Sequence, residues 1–140
     1  MIVDAYSQEI YIPFYLTTKQ FFQEAAKHLD QNGILAINVN ATSSKSALLR
    51  AIERTLKTVF PHVYIAKAPG TYNQLLVGSN KNITLPKNSV LPGFLKKVRS
   101  SLAATWRIPN PPKGIILSDN HAPVQEMTNQ MILSKLGSKL

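Results

Sequence analysis

A chain of 140 residues holds one domain and hardly more, and a 44% hydrophobic share excludes wholesale disorder. It has no cysteine, which excludes disulfides, thiol catalysis and zinc–thiolate sites. Sixteen Lys and Arg against seven Asp and Glu give a net charge of +9, a pull towards polyanions.

The histidines (His28, His62, His121) are scattered and show no metal-ligand spacing. The densest basic cluster is Lys96, Lys97 and Arg99, without the interleaved aromatics of a single-strand binder. A solvated basic face is the reading this pattern supports, with nucleic acid an unlikely partner. No apolar stretch nears the roughly 20 residues of a membrane helix, and the start lacks a signal-peptide pattern, so a cytoplasmic location is expected.

In chain order, Met1-Ile2-Val3 reads as the carboxyl end of a buried strand that stops at Asp4. Ala5 to Leu16, aromatic and holding Pro13, reads as a loop with one turn. Thr17 and Gln20 fit a capping box, and Phe22, Ala25, Ala26 and Leu29 form the apolar stripe of a helix behind it. Asn32-Gly33 is expected to end that helix in a left-handed turn. Ile34 to Val39, apolar apart from Asn38, predicts a strand buried on both faces, as in a parallel sheet.

Thr42-Ser43-Ser44 offers hydroxyl caps to a second helix with Leu48, Ile52, Leu56 and Val59 on one side, stopped by Pro61. His62–Ala66 and Gln74–Gly78 read as strands of a hairpin around the Pro69-Gly70 turn. Asn80 to Pro92 reads as a surface excursion. A third helix follows, with Leu91, Leu95, Val98 and Leu102 at its spacing. Trp106 to Lys113 holds three prolines and is expected to be irregular. The short apolar Ile115–Leu117 leads to Ser118-Asp119-Asn120-His121, and a last helix starts near Pro123 with Val124, Met127 and Met131 on one side. The alternation of strand and helix predicts an α/β sheet with helices on its faces.

Asp4 is the candidate for chemistry. Open α/β sheets bind ligands outside the carboxyl ends of their strands, and a carboxylate there can hold an amine or take its proton. The structural alternative is an Asp that caps the following turn. No dinucleotide loop, Walker loop, nucleophile elbow or metal motif occurs, so spacing alone names no enzyme.

Several segments together are more specific. They are Val3-Asp4-Ala5-Tyr6, Ile12-Pro13-Phe14-Tyr15-Leu16-Thr17-Thr18-Lys19-Gln20-Phe21-Phe22, Asn32-Gly33-Ile34, Val59-Phe60-Pro61-His62-Val63-Tyr64, Leu75-Leu76-Val77-Gly78 and Leu117-Ser118-Asp119-Asn120-His121-Ala122-Pro123-Val124. With these the chain resembles the spermidine synthase-like branch of the class I S-adenosylmethionine-dependent methyltransferase fold. The matching blocks span most of the chain and are weakest between about residues 81 and 113.

The resemblance implies a partial Rossmann-like methyltransferase sheet, its distal half, mostly parallel with a terminal antiparallel hairpin. It divides the chain into that half-domain, residues 1–80, and a C-terminal helical extension, residues 81–140. It implies that Asp4 is the acid that orients and deprotonates the attacking amine, with Tyr6, Tyr15 and Asp119 around the substrate. For Tyr6 a packing role is the alternative, and for Asp119 a cap on the last helix. The position three after Asp4, where true spermidine synthases usually carry a second Asp, is Ser7.

The glycine-rich loop and ribose-gripping acid of that family have no counterpart in the sequence. S-adenosylmethionine or its decarboxylated form is therefore expected only for a complete domain, and none for this chain alone. Aminopropyl or methyl transfer, a homodimer or pairing with a nucleoside-binding half, and a non-enzymatic assembly module all follow as expectations. Ser138-Lys139-Leu140 matches a peroxisomal address. Asn40-Ala41-Thr42 and Asn82-Ile83-Thr84 fit the glycosylation pattern but lack a secretory context.

Overall fold

The computed structural model describes residues 1–6, 11–87 and 90–137. Ser7 and the terminal Ser138-Lys139-Leu140, both singled out in the sequence, lie outside these described residues. Strands β1 (Ile2–Val3), β2 (Ile34–Asn40), β3 (His62–Lys67) and β4 (Asn73–Ser79) form one sheet in the order β1-β2-β4-β3. β1 pairs parallel with β2, while β4 runs antiparallel to both β2 and β3. β1, β2 and β3 therefore point the same way and β4 alone is reversed. Helices α1 (Lys19–Lys27), α2 (Ala47–Lys57), α3 (Gly93–Thr105) and α4 (Val124–Gly137) flank the sheet. Among the described residues no helix is long and apolar enough to cross a membrane.

Side-chain alternation gives the sheet two unequal faces. Val3, Leu35, Ile37, Val39, Val63, Ile65 and Leu76 share the main core with Phe22 and Ala25 of α1, with Leu48, Leu49, Ile52 and Leu56 of α2, and with Val124 and Met131 of α4. On the other face Ala36, Tyr64 and Val77 form a small buried cluster, with Leu75, Ile83 and Trp106 packed against it. Trp106 stacks on Tyr64 with ring centroids 4.9 Å apart. The Tyr64 hydroxyl donates to the Asn82 side chain and accepts the Ile83 N–H. The excursion after β4 thereby becomes a strap across the second face.

The predicted elements all form, and the caps shift. Thr18 rather than Thr17 caps α1, its hydroxyl accepting from the Phe21 N–H at 3.2 Å. The Thr17 hydroxyl instead donates to the Phe14 carbonyl at the end of a 3-10 turn, Phe14–Leu16. Gln20 lends its side-chain oxygen to the Asp119 N–H and closes no capping box. Ser46, not Thr42-Ser43-Ser44, caps α2 through the Leu49 N–H. Each of these regions offers several adjacent hydroxyls, and tertiary packing chooses among them.

Gly33 does not adopt the left-handed conformation expected of it; Gly70, in the β3–β4 turn, does, with φ 71°. A side chain at Gly33 would come within 2.9 Å of Leu29 Cβ and 3.0 Å of the Asp30 carbonyl, so close approach explains this glycine. The stripe expected on α3 stays largely open, with Val98 51% exposed and no residue of the helix buried.

Irregular chain between α3 and α4 is fixed by α2. Arg54 donates to the carbonyls of Pro112 and Ile115, and Lys57 to that of Pro109. Buried Thr55 donates to Ala51 and accepts the Leu117 N–H at 2.9 Å. Glu53, also buried, has Arg107 3.6 Å from its Oε1, within ion-pair range but too far to hydrogen-bond that oxygen.

Two stability predictions follow. A methyl at Gly78 would meet the buried Phe60 ring at 2.6 Å. Gly78→Ala should therefore cost about 1–3 kcal/mol in urea denaturation. Adding Phe60→Leu should cost less than Phe60→Leu does in the wild type, a coupling read by a double-mutant cycle. The second concerns Glu53, whose pKa burial pushes above the usual 4.5, against the attraction of Arg107, Arg50, Arg54 and Lys57. A folded pKa above the unfolded one means that stability is full below about 4.5 and is lost as pH rises through the folded value. Denaturation at a series of pH values should show that loss in the wild type and a flatter profile in Glu53→Gln.

Candidate active site

The carboxyl ends of β1, β2 and β3 lie at one end of the sheet because those strands share a direction. The β1–β2 register matches Ile2 with Ala36 and Val3 with Ile37. Continued by one residue, it sets Asp4 beside Asn38. The Asn38 amide does donate to Asp4 Oδ1, at 3.0 Å. Val3 points into the main core, so alternation sends Asp4 to the thinly covered second face, where it is exposed. A slip of one residue would reverse these assignments.

Tyr6, packed against the main core, holds the backbone at the end of β2. Its hydroxyl donates to the Asn38 carbonyl at 2.8 Å and accepts the Asn40 N–H at 2.6 Å. It thus satisfies the end of β2 where ladder bonding runs out. Burial pushes the Tyr6 pKa up to about 12; the Asn40 N–H opposes this by favouring the phenolate, and the Asp4 charge adds to it. Tyr6 is therefore a neutral phenol held by both of its hydrogen-bonding capacities, a role that includes the packing alternative.

Tyr15 and Asp119 lie elsewhere. Tyr15, 57% exposed, borders a cleft of about 410 Å³ with Tyr11, Pro13, Phe14, Val124 and Gln125. Asp119 sits in a tight turn between Ser118 and His121, its N–H bonded to Gln20. α4 begins only at Val124, so Asp119 is too far upstream to be the cap that the sequence offered as its alternative. Among the described residues no hydrogen bond joins Tyr15 or Asp119 to Asp4 or Tyr6.

Asn38 escaped the sequence reading. Its signal was present, because a polar residue inside an otherwise apolar strand run is unusual for a strand buried on both faces. A second cleft at this end, about 380 Å³, is lined by Thr42–Ser44, Lys67, Gln74 and Thr105–Arg107. No group of three or more His, Asp or Glu able to hold a metal occurs among the described residues.

No protein-family model matches this sequence. Over 93 residues, 64% of the chain, it is 30% identical to a probable polyamine aminopropyl transferase of Bifidobacterium longum. The crystal structure of a probable spermidine synthase from Corynebacterium glutamicum superposes with a TM-score of 0.50 at 18% identity, over 82% of this chain. The chain spans 21% of the length of the first relative and 48% of the second. The fold is thus spermidine synthase-like and Rossmann-like, as the motifs implied. Its sheet runs β1-β2-β4-β3, with the reversed hairpin strand between the last two strands of common direction.

The Tyr6 contacts give a spectroscopic test. In an alkaline titration followed by tyrosinate absorbance, one of the five tyrosines should ionise near pH 12, and Tyr6→Phe should remove that component. The folded value lies above the ordinary one near 10, so stability should fall between about pH 10 and pH 12. Tyr6→Phe should lose that slope and cost about 1–3 kcal/mol at neutral pH, because the Asn40 N–H is left without its acceptor.

Proposed function

We propose that this chain supplies the amine-binding side of an aminopropyl-transfer site, with Asp4 as the group that holds the attacking amine and accepts its proton. The observation that carries the reading is Asp4 itself: an exposed carboxylate at the carboxyl end of a parallel strand, oriented by the Asn38 amide. An ammonium has no lone pair to attack with, so a carboxylate at hydrogen-bonding distance must first take its proton. Likeness to a probable polyamine aminopropyl transferase and a probable spermidine synthase supports a polyamine as the substrate class. Tyr6 holds the end of β2 beside Asn38, while Tyr15 and Asp119 stand apart from this pair.

The residues present do not fit the sulfonium nucleoside that such a transfer needs. No glycine-rich turn links any described strand to a helix, and β1, whose outer neighbour would carry one, is an edge strand here. We assign the decarboxylated S-adenosylmethionine donor to a complementary half, which pairs along β1, and no role in holding it to this chain. Ile2 on that edge is 80% exposed and ready to be covered. A second copy of this chain is the other occupant of the edge, and a monodisperse monomer in light scattering counts against it. A cytoplasmic setting suits such a role.

Calorimetric titration with putrescine and, separately, with methylthioadenosine tests the division. Putrescine should bind saturably, with binding abolished in Asp4→Asn and at least about tenfold weaker in Asn38→Ala, the scale of losing one charge-assisted contact. Undiminished putrescine binding by Asp4→Asn would overturn the role of Asp4. One-to-one binding of methylthioadenosine would overturn the assignment of the nucleoside to another half.

A further inference from the structure

The outward face of α2 carries a row of cations, Arg50, Arg54 and Lys57, and two of them are spent on the chain. Arg54 holds the Pro112 and Ile115 carbonyls, and Lys57 holds that of Pro109. Gly114 lies so close to the Arg54 guanidinium that a side chain there would meet it at 2.9 Å, which seats the segment directly on that charge. One turn earlier, the half-buried Arg50 side chain makes no hydrogen bond or ion pair among the described residues beyond its through-space pull on Glu53. With Lys45 and Lys113 it borders a cleft of about 310 Å³, completed by Arg54, Ala47, Ile115 and Met127.

No Asp or Glu lines this cleft. Arg50 and Arg54 stand one helical turn apart, a like-charge spacing that costs a helix a few tenths of a kcal/mol rather than stabilising it. Lys113 is brought to the same place by the very bonds that fasten the segment between α3 and α4 to α2. Concave walls of low polarisability focus such a potential more than an open face does. The exposed Lys96 and Lys97 on α3 border none of this cavity, so the charge is convergent here and not a continuous stripe of the kind that tracks a nucleic-acid backbone.

We propose that this cleft is a binding site for an oligophosphate group carried by a small molecule. A single carboxylate would leave most of the converging charge uncompensated. Linked phosphates present several anionic oxygens to a guanidinium fork and two ammonium groups at once, the pairing in which charge-assisted hydrogen bonds are strongest. The site shares no lining residue with Asp4, Tyr6 or Asn38 and does not depend on the transfer reaction.

The test is calorimetric titration of the full chain with inorganic tripolyphosphate. Saturable one-to-one binding is expected, weakened tenfold or more by Arg50→Gln and by Lys113→Gln. Arg50→Lys, which keeps the charge and loses the fork, should fall between, and Lys96→Gln with Lys97→Gln should change affinity less than twofold. Circular dichroism of each variant confirms that it is folded; Arg50→Lys and Lys113→Gln, neither of which removes a bond that holds the chain, keep the test decisive. Absence of saturable binding, or equal losses in the α3 control, overturns the proposal. Tighter binding of a single-stranded oligonucleotide that depends on the α3 lysines overturns it too, in favour of a dispersed polyanion surface.

Discussion

The reversed strand β4 sets the geometry on which the site depends. Lying between β2 and β3, it makes antiparallel ladders on both sides and leaves those two strands pointing the same way without touching each other. β1 then joins β2 in parallel, and three carboxyl ends gather at one end of the sheet. β4 can occupy that central place because its inner residues are apolar or small. Gly78, between Leu35 and Val63 in register, leaves room for the Phe60 ring that caps the core behind it. Any side chain there would push the ring or the strand, and a shift of the strand would propagate into both ladders.

A second constraint is the supply of hydrogen bonds for chain that is neither helix nor strand. Residues 106–118 run close to the core through three prolines, which lack the N–H that a ladder needs, so their carbonyls find partners outside a sheet. α2 answers with side chains: Arg54, Lys57 and Thr55 take up carbonyls and an N–H in turn. Arg107 completes the arrangement, its backbone exchanging two bonds with Ile65 on the outer edge of β3. That single bridge followed by prolines covers one edge of the sheet and ends the pairing there, a common way of blunting an edge. Glu53 is the cost of this solution, a buried carboxylate attracted by four cations yet with one oxygen unbonded.

How legible all this was in the sequence depends on whether the signal is local. The apolar run of β2 and the stripe of α2 are periodic over many residues, and both elements stand where the periodicity puts them. Caps are different, because Thr17 and Thr18, or Ser43, Ser44 and Ser46, are chemically equivalent until packing fixes the entry angle of the chain. The insertion of β4 between β2 and β3 leaves no local trace, and the hairpin alone does not say on which side its second strand lies. At the site its place at a strand end drew attention to Asp4, and the parallel register set beside it Asn38, whose polarity inside an apolar run was its signal in the sequence. Tyr15 and Asp119 sit in matching motifs, and motif membership does not fix distance to Asp4.

Charge gives the last constraint on the proposed chemistry. A polyamine is a cation, and this chain carries +9, so the field at long range opposes the approach of the substrate. At physiological salt that field is screened over about 8 Å, and local groups decide the outcome. Asp4 is exposed and its bonded partner Asn38 is neutral, so one carboxylate must act for the site. Position 7 supplies a hydroxyl instead of a second negative charge. On the proposed reading, affinity of this chain for a diamine then rests on the Asp4 carboxylate held by Asn38. Four of the chain's cations, Lys45, Arg50, Arg54 and Lys113, converge elsewhere, around a cleft beside α2. On the two proposals, amine and phosphate recognition are separated by the fold, since β1 places its carboxylate at a strand end and α2 presents its cations on the side of the helix away from the core.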